Sequence, residues 1–245
     1  SVKAVESIGD YYHLPMYGKG TVDDLRLQGK KAGISKFLVH STATKKEQVS
    51  SINDYIVEVQ TENNSCVGFG TLFPGLEDVK DEVKRILRMG LHGIKLHPEF
   101  QKFNIDDESM MPIYTALEGN LPILMHMGDE KSDASSPYRL AKILDRFPNL
   151  TVIAAHLGGY SRWEESMKYL VGRNVYFDTS STLAIIDRNK VVEIIRKHGV
   201  HKVLFGSDYP MWSPAEEVER FMNLNLTTKE QNMILWENGI RLLNR

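Results

Sequence analysis

The 245 residues predict an α/β protein, a (β/α)8 TIM barrel whose first strand is missing from the sequence. Two observations point there. Short runs rich in Val, Ile, Leu and Phe alternate with longer amphipathic stretches along the whole chain, and the polar residues inside those runs fall in their last part. Parallel strands covered on both faces read as continuous apolar runs, and in a barrel their C-terminal ends converge on one mouth. An open doubly wound sheet would spread the same polar residues along an edge. No Gly-x-Gly-x-x-Gly or phosphate-loop pattern follows any run, which further weakens that arrangement.

The elements follow in order. The opening segment "SVKAVESIGDYYHLP" reads as helix or loop. Strands are expected in "KFLVHS" (36–41), "CVGFGTL" (66–72), "GIKLHP" (93–98), "LPILMHMG" (121–128), "TVIAAHLGG" (151–159), "VYFDTSS" (175–181) and "VLFGSDYP" (203–210). Between them "LEDVKDEVKRILRMG" places Val79, Val83, Ile86 and Leu87 on one helical face, with Gly90 as its stop. Ser213, Pro214 and Glu216 are expected to form a capping box with proline at the first helical position, and Thr227 with Glu230 repeats the device. No linker or low-complexity block interrupts the rhythm, so residues 1–245 read as one domain. Seven runs are present where this barrel needs eight, and the chain opens on Ser1 rather than Met; both lead to the expectation that a first strand precedes Ser1.

Composition narrows the functional classes. A net charge of -2 gives no electrostatic case for nucleic acid or an anionic membrane as partner. The single cysteine, Cys66, rules out an internal disulfide, fits a reducing cytoplasm, and sits in an apolar run as a structural thiol. No apolar segment is long enough to span a bilayer.

The chemistry lies in the polar residues at the ends of the runs. Asp208 follows three apolar residues and a glycine, and a buried carboxylate is costly without a cation beside it. His126 and His156 end two other runs. Two imidazoles and a carboxylate around one mouth suit a borderline-soft divalent ion, zinc first and manganese second, which would offset the burial of Asp208. His126, His156 and Asp208 are therefore the candidate metal ligands, with His156 and Asp208 also the candidate catalytic groups. Lys95 and His97 alternate with Leu96 and point to the same side; they and Trp212 are candidate substrate-binding residues. Asp178 reads as an acid orienting a histidine. His40 ends an earlier run. His13, His92, His198 and His201 read as surface residues, and Trp163 and Trp236 as interhelical packing.

The ordered set "GIKLHP", "LPILMHMGD", "TVIAAHLGG" and "VLFGSDYP" resembles the amidohydrolase superfamily, specifically its amidohydrolase-related group of metal-dependent hydrolases and decarboxylases. The resemblance extends over the whole chain and implies a (β/α)8 barrel. It implies that His126 matches the fifth-strand metal ligand and Asp208 the eighth-strand acid at the metal. His156 matches the sixth-strand histidine, a ligand in some members and a general acid/base in the decarboxylase branch. One departure stands out: the family's first strand carries a His-x-His pair, and this sequence contains none.

The expected activity is hydrolysis of an amide, another C–N bond, or an ester or lactone in a small molecule. A metal ion would lower the pKa of a bound water to about 7. The alternative is non-oxidative decarboxylation of a small unsaturated or aromatic acid, with His156 protonating the carbon that loses carbon dioxide. A metal-free barrel with a binding or structural role is the third reading. Compact βα connections favour hydrolysis, and a homodimer is the default assembly.

Overall fold

The computed structural model describes residues 2–244. Helix α1 (Val2–Tyr12) and helix α2 (Val22–Lys31) precede the first strand. The strands are β1 (Phe37–His40), β2 (Cys66–Thr71), β3 (Ile94–Leu96), β4 (Ile123–Met125), β5 (Val152–Ala154), β6 (Tyr176–Asp178) and β7 (Val203–Leu204). Helices α3 (Val49–Glu62) and α4 (Val79–Arg88) follow β1 and β2; α5 (Pro98–Gln101) and α6 (Met111–Leu117) follow β3. Helices α7 (Pro137–Arg146), α8 (Trp163–Tyr169) and α9 (Arg188–His198) follow β4, β5 and β6. After β7 come α10 (Pro214–Met222), α11 (Thr228–Asn232) and α12 (Asn238–Leu243).

All strand pairs are parallel, and the sheet runs β1 to β7 in chain order. This is the (β/α)8 barrel architecture with seven strands, curled so that β1 and β7 are the two edges. Strands β3 to β6 are buried at every position, as continuous apolar runs require. Edge strand β1 instead alternates between half-buried and exposed residues, because one of its sides has no neighbour.

Two cores result. The larger packs the outer faces of the strands against the helices, with Ile94, Leu96, Ile123 and Val152 meeting Val83, Ile86, Ile113, Leu140 and Ile194. The smaller lies inside the curl and joins Phe69, Leu124, Ile153, Ala155 and Tyr176, with Leu242 of α12 below them. Between β1 and β7 the interior opens into a cavity of about 330 Å³.

Local signals explain the helix ends. Ser213 accepts the Glu216 N–H without a reciprocal bond, whereas Thr227 and Glu230 cap each other both ways. Gly90 takes φ 75 just past α4, the left-handed turn that favours glycine. Two expectations are corrected. His198 is only 4% exposed, because its ring stacks on Phe177 and bonds the Val175 carbonyl, so it is no surface residue. Trp236 is 51% exposed, because it lies on the outward face of the C-terminal helical segment rather than between helices. Cys66 is buried and unpaired. Among the described residues no helix is long and apolar enough to cross a membrane.

Candidate functional site

The chemistry-bearing side chains gather where β3 to β7 end. His126 follows β4 directly, and its N–H bonds the Leu96 carbonyl, which continues the strand ladder by one residue. His156 begins a tight turn after β5 and Asp208 lies in the loop after β7, both in the left-handed region (φ 61 and φ 55). Non-glycine residues held there cost about 1–3 kcal/mol each and persist only where the surroundings fix them. For His156 the fixing group is Asp178, whose Oδ1 accepts the backbone N–H of His156 at 3.1 Å and of Ser180 at 3.0 Å. Asp178 thus holds His156 directly through its backbone and reaches its ring by way of the Ser180 hydroxyl, which donates to Asp178 Oδ1 and lies 3.0 Å from His156 Nδ1.

The imidazoles form a connected group. His126 Nδ1 and His156 Nε2 lie 3.1 Å apart. Their other nitrogens face carbonyl oxygens: His126 Nε2 meets Gly128 O at 2.9 Å and His156 Nδ1 meets Ser180 O at 2.9 Å. A carbonyl only accepts, so each outer nitrogen carries a hydrogen. In two neutral rings the inner nitrogens would then both be bare lone pairs, facing one another. That arrangement needs a proton between them, since an ion about 2.1 Å from each nitrogen does not fit on a line 3.1 Å long. Burial drives the His126 imidazole well below its ordinary pKa, with His97, His156 and Lys95 acting in the same direction.

His97, Glu99 and His126 each offer a ligand atom within 4.8 Å of the others, a group that could hold a metal ion. His97 Nδ1 and Glu99 Oε2 are buried and face one another at 3.4 Å, and neither makes a hydrogen bond within the usual geometry among the described residues, so both atoms have lone pairs or a proton to offer a further group. Glu99 also accepts from Ser135 at 2.6 Å. That bond and His97 outweigh burial, which alone would raise the Glu99 carboxyl, and hold it below the ordinary value. Tyr12 closes the group from α1, its hydroxyl 3.3 Å from His97 Nε2 and 3.4 Å from His126 Nε2. Burial, then Asp208, Glu99 and Asp129, push the Tyr12 phenol far above its usual pKa, so it stays protonated.

Lys95, His40, His156 and Asp208 line the cavity between β1 and β7. Lys95 is 7% exposed, and burial lowers its ammonium below the usual range against the pull of Asp208, Asp178 and Glu99. Burial would raise the Asp208 carboxyl, but His156, the Ser181 hydroxyl and Lys95 hold it below the ordinary value. Three carboxylates, Asp208, Asp178 and Glu99, therefore act on one buried lysine, a balance that suits a divalent cation.

Of the candidates read from sequence, the structure joins His126 to His156 directly and brings His97 onto His126. It sets His156, Lys95 and Asp208 around one cavity. The ligand group within 4.8 Å contains His126 but neither His156 nor Asp208. Trp212 donates its indole N–H to Ser181 at 2.9 Å. Sequence reasoning missed Glu99, Tyr12 and Ser181. Glu99 had a signal, standing two residues after His97 where Pro98 opens α5 and turns the chain back. Tyr12 had none, being 114 residues from His126.

A barrel whose strand ends carry clustered imidazoles and carboxylates, poised for a cation and a proton, is the class that fold and site define. The sequence model of the amidohydrolase family matches residues 6–245, and the chain belongs to that family. It is 26% identical over 241 residues to a 2-amino-3-carboxymuconate-6-semialdehyde decarboxylase of Dictyostelium discoideum, an alignment covering 78% of this chain. The chain spans 65% of that relative's length. The 5-carboxyvanillate decarboxylase of Sphingomonas paucimobilis superposes with a TM-score of 0.76 at 18% identity, over 91% of this chain and 83% of that one. A dihydroxybenzoic acid decarboxylase from Polaromonas, solved with manganese and the inhibitor 2-nitroresorcinol, gives 0.72 at 18% identity, over 92% and 87%. At these identities the two structures establish the fold.

These matches correct the expectation of hydrolysis, and with it the hydrolase class. The relatives carry decarboxylase names. Short βα connections were a poor discriminator, because hydrolysis and decarboxylation call for the same imidazoles and carboxylates.

Proposed function

We propose that this protein is a metal-dependent, non-oxidative decarboxylase of a small aromatic or unsaturated carboxylic acid, with His156 as the proton donor. The observation that carries this reading is the 3.1 Å contact between His126 Nδ1 and His156 Nε2, both rings being tied to carbonyls at their far ends. With Nδ1 committed to Ser180 O, Nε2 is the nitrogen of His156 that can deliver a proton. The His156 ring borders the cavity that Lys95 and Asp208 also line.

The likeness to decarboxylases supports the choice of reaction, and the donor set supports a divalent ion. His126 and Asp208 would hold it, with His97 and Glu99 beside His126; manganese and zinc both suit imidazole and carboxylate donors. When bound, such an ion supplies Lewis-acid polarisation of the substrate's oxygens. Lys95 binds the substrate anion by charge. The bond between ring or vinyl carbon and carboxylate breaks, and its electron pair forms the new C–H bond with the His156 proton. Carbon dioxide leaves, and solvent returns a proton to His156.

The test is a panel of aromatic and unsaturated carboxylic acids incubated with manganese- or zinc-loaded protein in deuterated water. The expected result is released carbon dioxide and one deuterium at the carbon that lost it. Quantitative recovery of every acid, with metal bound, would overturn the proposal.

A further inference from the structure

Asp208 touches none of the imidazoles through a hydrogen bond among the described residues; its bond is to Ser181. The Ser181 hydroxyl lies 2.5 Å from Asp208 Oδ2, and the Trp212 indole N–H points at the same hydroxyl from 2.9 Å. The direction of each bond is fixed by chemistry. An indole N–H only donates and an ionised carboxylate only accepts. The Met211 sulfur, 3.5 Å away, is a weak acceptor beside an ionised carboxylate at 2.5 Å, so the single proton of Ser181 is committed to Asp208.

We infer that Ser181 and Trp212 are positioning residues for Asp208. They occupy Oδ2 and set the carboxylate in one orientation, leaving Oδ1 as the oxygen that meets metal or substrate. The inference rests on the proposed role of Asp208 at the reaction centre.

Four further observations agree. Ser181 and Asp208 both sit in the left-handed region, at φ 46 and φ 55, and two such residues facing one another across neighbouring loops need a bond that fixes both. Asp208 Oδ1 accepts no hydrogen bond among the described residues. Asp208 and Lys95 act on each other only through space, although both line one cavity. With Oδ2 taken by Ser181, Asp208 makes no ion pair to Lys95 among the described residues, and the ammonium faces the cavity without a partner there. Trp212 is itself braced from behind, with the Arg220 guanidinium 6.0 Å above its ring and Arg220 tied to Glu216 and Glu217 on α10.

The experiment compares the full chain with Ser181→Ala and Trp212→Phe, the latter keeping a six-membered aromatic ring while losing the N–H. Manganese(II) affinity is measured by electron paramagnetic resonance titration. In metal-free protein, the indole N–H proton resonance of Trp212 is followed, identified by its loss in Trp212→Phe. Both variants are expected to bind manganese(II) about 10–100-fold more weakly, as removal of a group orienting a ligand does. The indole resonance is expected to move in Ser181→Ala and also in Asp208→Ala, because the serine proton loses its acceptor. Unchanged affinity in both variants, or an indole resonance indifferent to Asp208→Ala, overturns the inference. A wild-type chain that binds no manganese(II) or zinc while its indole resonance still responds to Asp208→Ala would remove the metal reading and support the three-residue chain.

Discussion

The imidazole of His97 lies flat on that of His126, ring centroids 3.9 Å apart and planes 9° apart. Phe100 covers the other face of His97 at the same distance. Imidazole lone pairs lie in the ring plane, so two parallel rings direct them side by side instead of toward one point. A single ion about 2.1 Å from each donor would require one ring to tilt. His126, which follows a buried strand and bonds two further partners, is the ring held in place. His126→Ala should therefore lower manganese(II) affinity at least tenfold more than His97→Ala, measured by equilibrium titration of the folded variants. Equal losses would mean both rings ligate and the stack opens on binding.

Tyr12 bridges the same two rings from above. Tyr12→Phe deletes one hydroxyl and keeps the edge contacts with Tyr11, Phe100 and Tyr160. The cost should be about 1 kcal/mol in urea unfolding, the usual net worth of a hydrogen bond. The His97 and His126 ring resonances should shift while that of His198, on the far side of the sheet, stays put. A silent His97 would show that the hydroxyl does not reach it.

The strand order and the cluster at the strand ends were legible because burial on both faces leaves a continuous apolar run, and a polar residue at its end is conspicuous. Asp208 illustrates the limit. The run "VLFGSDYP" places it correctly near the mouth, yet only Val203 and Leu204 are strand, and its partner is Ser181, 27 residues earlier. Nothing local distinguishes that serine from Ser180, which bonds Asp178 and His156 instead. His198 was misjudged because its position at a helix end resembles a surface site, while stacking on Phe177 depends on a neighbouring strand. Reaction type was the least legible feature, since proton donor and metal ligands are the same residue types in either chemistry.

Lys95 offers a test of function against stability. Its ammonium is buried and makes no ion pair or hydrogen bond among the described residues, a costly state for a charge. Lys95→Met keeps the length and removes the charge. The variant should unfold at higher urea concentration, by about 1 kcal/mol, while KM for any acid turned over by the wild type rises at least tenfold. A destabilised variant with unchanged KM would assign Lys95 to the fold alone.

Glu217 makes the pH prediction. It lies on α10 with 0% exposure, one oxygen 2.6 Å from Arg220 and the other without a hydrogen-bond partner among the described residues. Burial pushes its carboxyl from 4.5 up to about 7; Arg220 opposes the shift, and Asp208 and Glu216 add to it. A carboxyl raised on folding binds its proton more tightly in the native state. Its contribution to stability is thus complete below the unfolded value near 4.5 and is lost as pH rises through about 7. Glutamine copies the neutral acid at every pH. Relative to wild type, Glu217→Gln should gain about 1–3 kcal/mol between pH 5 and pH 8, read from urea midpoints at the two values. The comparison cancels every other titrating group that the substitution leaves alone. Parallel behaviour at both pH values would mean that Arg220 keeps the carboxylate ionised and that burial is not the dominant influence on this helix.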